Sequence, residues 1–276
     1  MKRICFFVHF NKNDVVDDYV IYYLQGLKKV VNDIIFISNS SLNHEAKNKL
    51  SEYSKKIIQR ENVGYDFMAW KDGIESIGYE NLANYDEVII ANDSCYAPLF
   101  PFEEMFDKMS TKDCDFWGAT DSIVISYHIQ SYFIVFGKSV ISSRSFTEFW
   151  KNVVIQKTKD DVVLNYEIGL SIILIKGGFK ALSYDELGFF YTNRNIYYKY
   201  CDKYKNRKVV KIFKILTIPF KRKRRLDKSM TLWRDLIKQR TPFLKKKIIN
   251  NIFGYEKVLE INNSKYPISL IKEDDL

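Results

Sequence analysis

Ile57-Ile58-Gln59-Arg60-Glu61-Asn62-Val63-Gly64-Tyr65-Asp66-Phe67-Met68-Ala69-Trp70-Lys71-Asp72-Gly73 holds a strand, a polar corner and the start of a helix in one short run. The β-branched pair Ile57-Ile58 reads as strand, and Phe67, Trp70 and Ile74 recur at helical spacing. A polar Asn-x-Gly corner between a strand and a helix is how open α/β sheets present groups to a ligand, at the carboxyl ends of their strands. Asn62 and Gly64 are also good chain-turning residues, so the neighbours of the corner decide what it does.

Outward from this corner the alternation repeats. Strands are expected over residues 3–10, 33–38, 56–60 and 87–91, with helices over 14–31, 43–54 and from 65 to about 74. The first helix carries Val15, Tyr19, Tyr22, Tyr23, Leu27 and Val30 on one face, with acids at its start and Lys28-Lys29 at its end, as the helix dipole favours. Strands alternating with helices at this spacing predict a mostly parallel sheet covered on both faces. After Asn92-Asp93-Ser94 the pattern changes to a Pro-containing loop (Pro98, Pro101) and a helix over 102–109. Strands are then expected over 114–118 and 131–137, helices over 146–153 and 160–176, and an edge strand over 179–184.

The chain has 276 residues, 46% of them apolar, enough for a sizeable core. Its 20 Phe and 19 Tyr are assigned to that core by default. Cys5, Cys95, Cys114 and Cys201 form no CxxC pair and have no flanking His cluster, so neither a zinc site nor a disulfide framework is suggested, and a reducing compartment fits best. The N-terminal run Ile4 to Phe10 reads as a buried strand rather than a leader, and no stretch of 18 apolar residues would span a membrane.

The net charge of +9 is unevenly spread: residues 203–250 hold 18 Lys or Arg against Asp227 and Asp235, a local charge of +16 that leaves −7 elsewhere. Two regions follow, a catalytic-sized body over 1–190 and a basic, mainly helical segment over 191–276. Within the second, residues 208–220 place Val209, Ile212, Phe213 and Leu216 on one face and Lys208, Lys211 and Lys214 on another. The run Lys221-Arg222-Lys223-Arg224-Arg225 follows. Apolar burial beside a polybasic run suits an anionic membrane surface, and an ordinary surface helix with solvated charges is the plainer alternative. Nucleic acid is not expected as a partner, because no helix-turn-helix, RNA-recognition or OB signature accompanies the charge.

Candidate chemistry lies at three places. Asp93 follows directly on a strand, so it shares a crevice with the Asn62–Gly64 corner, and a carboxylate there can hold Mg²⁺ or Mn²⁺ against a diphosphate; the Asn92-Asp93-Ser94 triplet is also a good turn. His128 and Gln130, alternate residues before a strand, point to one side, and a structural hydrogen-bonding role is open to the histidine. Glu167 sits among apolar helix residues, either facing solvent or facing a cleft as a general base. Asp66, one turn into its helix, could contact a ligand or cap the helix.

Taken in order, these pieces resemble the rhamnan synthesis F family of glycosyltransferases of bacterial polysaccharide and lipopolysaccharide synthesis. The resemblance is carried by Arg60 to Phe67 with Ala69-Trp70-Lys71-Asp72-Gly73, Tyr85-Asp86-Glu87-Val88, Asn92-Asp93-Ser94-Cys95-Tyr96, Pro98-Leu99, Asp115-Phe116-Trp117-Gly118 and His128-Ile129-Gln130-Ser131-Tyr132-Phe133. Tyr166-Glu167-Ile168-Gly169-Leu170 and Pro242-Phe243-Leu244-Lys245 extend it to about residue 250. It implies an α/β, A-type glycosyltransferase (nucleotide-diphospho-sugar transferase, Rossmann-like) fold with a basic helical C-terminal extension. It also implies a nucleotide-sugar donor, most often dTDP-L-rhamnose, a lipid-linked glycan acceptor, and a cytoplasmic protein peripheral to the inner face of the plasma membrane.

The resemblance further implies roles for single residues. Asn62 and Gly64 border the donor's base and ribose, with Asp66, Asn92, Ser94 and Gln130 completing the donor-binding set. Asp93 takes the place of the metal-binding Asp-x-Asp motif, Glu167 that of the base that deprotonates the acceptor, and His128 or a basic residue helps to stabilise the leaving diphosphate. Two departures stand out: Asn92 and Ser94 replace flanking carboxylates, and Ile168 follows Glu167 where a second acid is usual. A non-catalytic scaffold of a polysaccharide-synthesis complex that keeps the fold is the competing expectation.

Overall fold

The computed structural model describes residues 1–123, 125–186, 227–249, 264 and 266–271. Strand β1 (Arg3–His9) leads through α1 (Asp18–Leu27) to β2 (Asp33–Ser38), and α2 (His44–Ser51) leads to β3 (Lys56–Gln59). After β3 come α3 (Tyr65–Ile77), α4 (Tyr79–Leu82), β4 (Glu87–Asn92), β5 (Cys95–Tyr96) and α5 (Phe102–Ser110). Next are β6 (Phe116–Gly118), β7 (Asp121–Ser122), β8 (His128–Ile129), β9 (Phe133–Gly137), α6 (Lys138–Ile141) and α7 (Arg144–Lys151). The body ends with α8 (Lys159–Val162), a π-helical turn (Val163–Glu167), α9 (Ile168–Lys176) and β10 (Ala181–Ser183).

The main sheet has seven strands in the order β10-β6-β9-β4-β1-β2-β3, all parallel except β9, which runs against both β4 and β6. The expected fold class therefore holds: a mixed α/β protein around a central, parallel-rich sheet. Alternation along each strand divides the core in two, as the period of two requires. Cys5 and Phe7 of β1 with Ile34 and Phe36 of β2 face α1, α2 and α5. Ile4, Phe6 and Val8 with Ile35 and Ile37 face α3, α7 and α9. Both faces are buried, which is why these strands read as continuous apolar runs.

Helix α3 docks by Trp70, whose buried indole donates to the Ala91 carbonyl at 3.1 Å. Gly73 permits the approach, since a Cβ there would come within 2.5 Å of Ile37 Cδ1.

Local departures from the expected elements have local causes. The first helix starts four residues late, because Asp14 lies at φ 58 with its carboxylate accepting from the Ser41 amide, and Asp17 is extended. The helix expected over 160–176 is broken by the π turn. His128 and Ile129 form a small hairpin with Asp121 and Ser122 instead of running into β9.

The C-terminal segment is not an appendage in its described part. Helix α10 (Lys228–Thr231), α11 (Trp233–Lys238), β11 (Leu244–Lys245) and α12 (Lys246–Ile249) lie against the body. Leu244 and Lys245 pair antiparallel with Tyr96 and Cys95. Trp233, Ile237, Phe243, Leu244, Ile248 and Ile249 join the first of the two core layers, and Phe243 packs 4.9 Å from Phe133, centroid to centroid. Arg240 grips Glu104 of α5 through two bonds of 2.6 and 2.7 Å. Residues 227–249 thus share a core layer with the body that precedes residue 190. The interfacial helix expected over 208–220 and the polybasic run after it lie outside the described residues.

Candidate active site

Parallel strands deliver their carboxyl ends to one rim, and β1, β3 and β4 bring the candidate residues there. Arg60, just past β3, holds the corner: its guanidinium donates to Asp72 (2.6 Å), Asn39 (2.6 Å) and the Val63 carbonyl (2.9 Å). Gly64 is left-handed at φ 79 and caps α3, and a Cβ there would meet Met68. Tyr65 is left-handed too, at φ 58, and 42% exposed. Such a backbone costs a bulky residue about 1–3 kcal/mol and marks the corner as built for more than turning. Asn62 is exposed beside it.

Asp66 does not cap its helix. It accepts from Asn92 Nδ2 at 2.8 Å, and Asn92 Oδ1 in turn accepts from Ser94 Oγ at 2.6 Å. The corner and the end of β4 are thereby joined through three expected donor-site residues. Burial, and then the nearby charge of Asp93, push the Asp66 carboxyl from the ordinary 3.8 up to about 6.

That shift gives a stability prediction. A carboxyl whose folded value exceeds its unfolded value weakens the fold as pH rises through the interval between them, here about 4 to 6. Asp66→Asn, which preserves the bond from Asn92, is expected to match wild type near pH 4. At pH 7.5 it should be more stable by up to about 3 kcal/mol. Urea unfolding at both pH values measures the difference; equal offsets at the two would exclude the Asp66 carboxyl as the cause.

Asp93 Oδ2 accepts from the Tyr19 hydroxyl at 3.2 Å and lies 3.7 Å from Lys246 Nζ, which itself donates to Tyr19 at 2.6 Å. His9, fully buried at the end of β1, lies in the field of Asp93, Lys246 and Asp17. Burial pushes its imidazole down, so it is neutral at pH 7. Its Nδ1 is 3.2 Å from Ser38 Oγ, and its Nε2 is buried without a hydrogen-bond partner.

Glu167 faces the sheet rather than solvent: its Oε1 accepts from the Ser131 amide at 2.9 Å. The next residue, Tyr132, accepts from the Asn92 amide at 3.3 Å, which places this carboxylate one residue from the end of β4. The π turn explains the orientation, since one added residue swings the following side chains by about 100° relative to an unbroken α-helix. Tyr166 pins the turn, bonded through its hydroxyl to both the amide and the carbonyl of Val154.

His128 and Gln130 serve other bonds. His128 is buried with Nδ1 2.8 Å from the Ser126 carbonyl. Gln130 accepts from Thr120 (2.5 Å) and donates to Asp227 (3.1 Å). Close to Asp227 lies a cluster that the sequence did not announce: Lys228 Nζ sits 2.6 Å from Asp121 and 2.7 Å from Asp185, with side-chain exposures of 3%, 0% and 0%.

The groups about Asp93 do not fit a tightly held Mg²⁺ or Mn²⁺. Among the described residues no three His, Cys, Asp or Glu side chains converge as a metal set. Asn92 Oδ1 is taken by Ser94, and an ammonium already stands against the one carboxylate.

A model of the rhamnan synthesis protein F family matches residues 34–199, more than half of the chain, including the corner, Asp93 and Glu167. The chain belongs to that family. Among curated proteins it is similar to uncharacterized protein y4gN of Sinorhizobium fredii, 30% identical over 142 residues, covering 50% of this chain and 37% of that one. It is also similar to virulence protein VirA of Vibrio anguillarum, 26% identical over 230 residues, covering 75% of this chain and 68% of that one. Among solved structures it is similar to a putative nucleotide-diphospho-sugar transferase from Desulfovibrio desulfuricans, with 14% identity, 66% and 78% coverage and a TM-score of 0.37. Residues 1–349 of S. aureus TarS give 11% identity, 95% and 89% coverage and a TM-score of 0.41.

Within this rhamnan synthesis F chain, the residues missed in the sequence are His9, Tyr19, Asp121, Asp185, Lys228 and Lys246. Asp121 and His9 were within reach, since each stands at or just past the carboxyl end of a strand, as Asp93 does. Lys246 follows directly on the Pro242-to-Lys245 motif. Nothing in the local sequence pairs Lys228 with acids more than 40 residues away.

Proposed function

We propose that the chain is a glycosyltransferase that moves a sugar, L-rhamnose from dTDP-L-rhamnose in the first instance, onto a lipid-linked cell-surface glycan. The observation that carries this reading is the Asp66–Asn92–Ser94 chain at the end of β4, beside the Asn62–Gly64 corner, with Glu167 bonded to Ser131, the neighbour of the Tyr132 that pairs with Asn92. Asn62 and Gly64 border the nucleotide, Asp66 accepts from donor hydroxyls once ionised, and Glu167 takes the acceptor proton. Ser131 fixes one oxygen of Glu167, leaving lone pairs on the other for that proton.

The displacement is single. The acceptor oxygen attacks the anomeric carbon as the carbon–oxygen bond to the diphosphate breaks, so configuration inverts and no covalent enzyme intermediate forms. In this reading the protein works at the inner face of the plasma membrane, with the stretch 208–220 and the polybasic run 221–225 against anionic lipid. No helix among the described residues is long and apolar enough to cross a membrane.

A calorimetric panel of nucleotide sugars, followed by dTDP release in the presence of an acceptor glycolipid on phosphatidylglycerol liposomes, tests the proposal. Tight binding of one sugar nucleotide and acceptor-dependent release are expected. Failure to bind any member would favour the scaffold reading.

A further inference from the structure

A leaving nucleoside diphosphate brings concentrated negative charge into a rim that already holds Asp66, Asp93 and Glu167. Some cation has to meet it. The groups around Asp93 do not suit a resident divalent ion, and the ammonium of Lys246 stands 3.7 Å from Asp93 Oδ2.

Lys246 is placed with unusual firmness for a lysine. Its amide donates to the Ser94 carbonyl at 3.1 Å, and the two residues before it are paired with Cys95 and Tyr96. Its ammonium bonds Tyr19 OH and lies 4.7 Å from the centre of that ring. The side chain keeps 21% exposure, so the ammonium still has donors for a ligand. Lys245, adjacent, holds its ammonium 4.0 Å from the centre of the Tyr132 ring.

We propose that Lys246, carried to the rim by the C-terminal segment, binds the donor diphosphate in the role otherwise given to a divalent cation. The inference rests on the transferase reading above. As the anomeric carbon–oxygen bond breaks, its electron pair remains on the β-phosphate oxygen. Lys246 stabilises that charge by hydrogen bonding and transfers no proton, while the acceptor's proton goes to Glu167. Residues 227–249 are then part of the catalytic body, because among the described residues they supply the cation that stands at Asp93.

The test is calorimetry of the full chain with dTDP, UDP, GDP and the matching nucleosides, in EDTA and again in Mg²⁺. Wild type is expected to bind at least one diphosphate in EDTA, with affinity changed less than about threefold by Mg²⁺. Lys246→Met, which keeps the aliphatic stem, should weaken that diphosphate roughly 10- to 100-fold and leave the nucleoside unaffected. Lys246→Arg should recover most of the loss, and far-ultraviolet circular dichroism with a thermal melt checks that both variants fold. Diphosphate binding that vanishes in EDTA, or that survives Lys246→Met undiminished, overturns the assignment of Lys246 while leaving the transferase reading intact. No binding of any diphosphate or nucleotide sugar by wild type removes both.

Discussion

Lys228→Ala is expected to lower the stability of the chain by about 3–5 kcal/mol, the usual effect of removing one partner from a buried ion cluster. The ammonium lies between Asp121 and Asp185, and all three side chains are almost wholly out of water. Without it, two carboxylates face each other in a medium that solvates neither. Burial already pushes the Asp121 carboxyl upward, and loss of the lysine pushes it further. A folded value raised above the unfolded one makes the variant's deficit grow with pH, so urea unfolding should show a larger loss at pH 8 than at pH 5. Adding Asp121→Asn to Lys228→Ala should recover part of the loss by removing one of the unpaired charges. A loss below about 1 kcal/mol would show that the cluster does not lock the segment to the body.

The consequence reaches the rim. Lys228 opens the stretch that runs through α11 to β11, and β11 presents Lys246 to Asp93. Loosening the lock should therefore weaken diphosphate binding as well as stability, although Lys228 touches no ligand itself.

Glu167→Gln is expected to reduce turnover by about 10²–10⁴-fold, the range for loss of a positioned general base. Glutamine can still accept from the Ser131 amide through its carbonyl oxygen, so the π turn and the start of β9 keep their geometry. Only the ability to take a proton is lost. Donor affinity should stay within a few-fold of wild type, because the proposed role of Glu167 is on the acceptor side. The assay is dTDP release from dTDP-L-rhamnose with an acceptor glycolipid, alongside donor calorimetry. Undiminished turnover would move the base elsewhere, and equal losses in binding and turnover would make Glu167 a donor-binding group.

Much of the architecture was legible along the chain because it is local. Ile4 to Val8, Ile34 to Ile37 and Val88 to Ala91 are apolar without interruption, the signature of strands covered on both faces. The corner from Arg60 to Gly73 announced itself by composition, and Asp93 by its place after a strand. Glu167 was legible as a candidate, but its direction was not. An α-helix and a helix with one π turn differ by a single residue's advance, which sequence periodicity cannot resolve over five residues.

What the sequence by itself determined is the parallel-rich sheet and the family, since each depends on short patterns that repeat within a few tens of residues. The tertiary structure alone decided which charges meet. Lys228 reaches Asp121 across 107 positions and Lys246 reaches Asp93 across 153. A lysine-rich stretch looks the same whether its ammonium groups are solvated or buried against carboxylates. The packing of Phe243 and its neighbours onto the sheet fixes where the backbone of Lys228 and Lys246 lies.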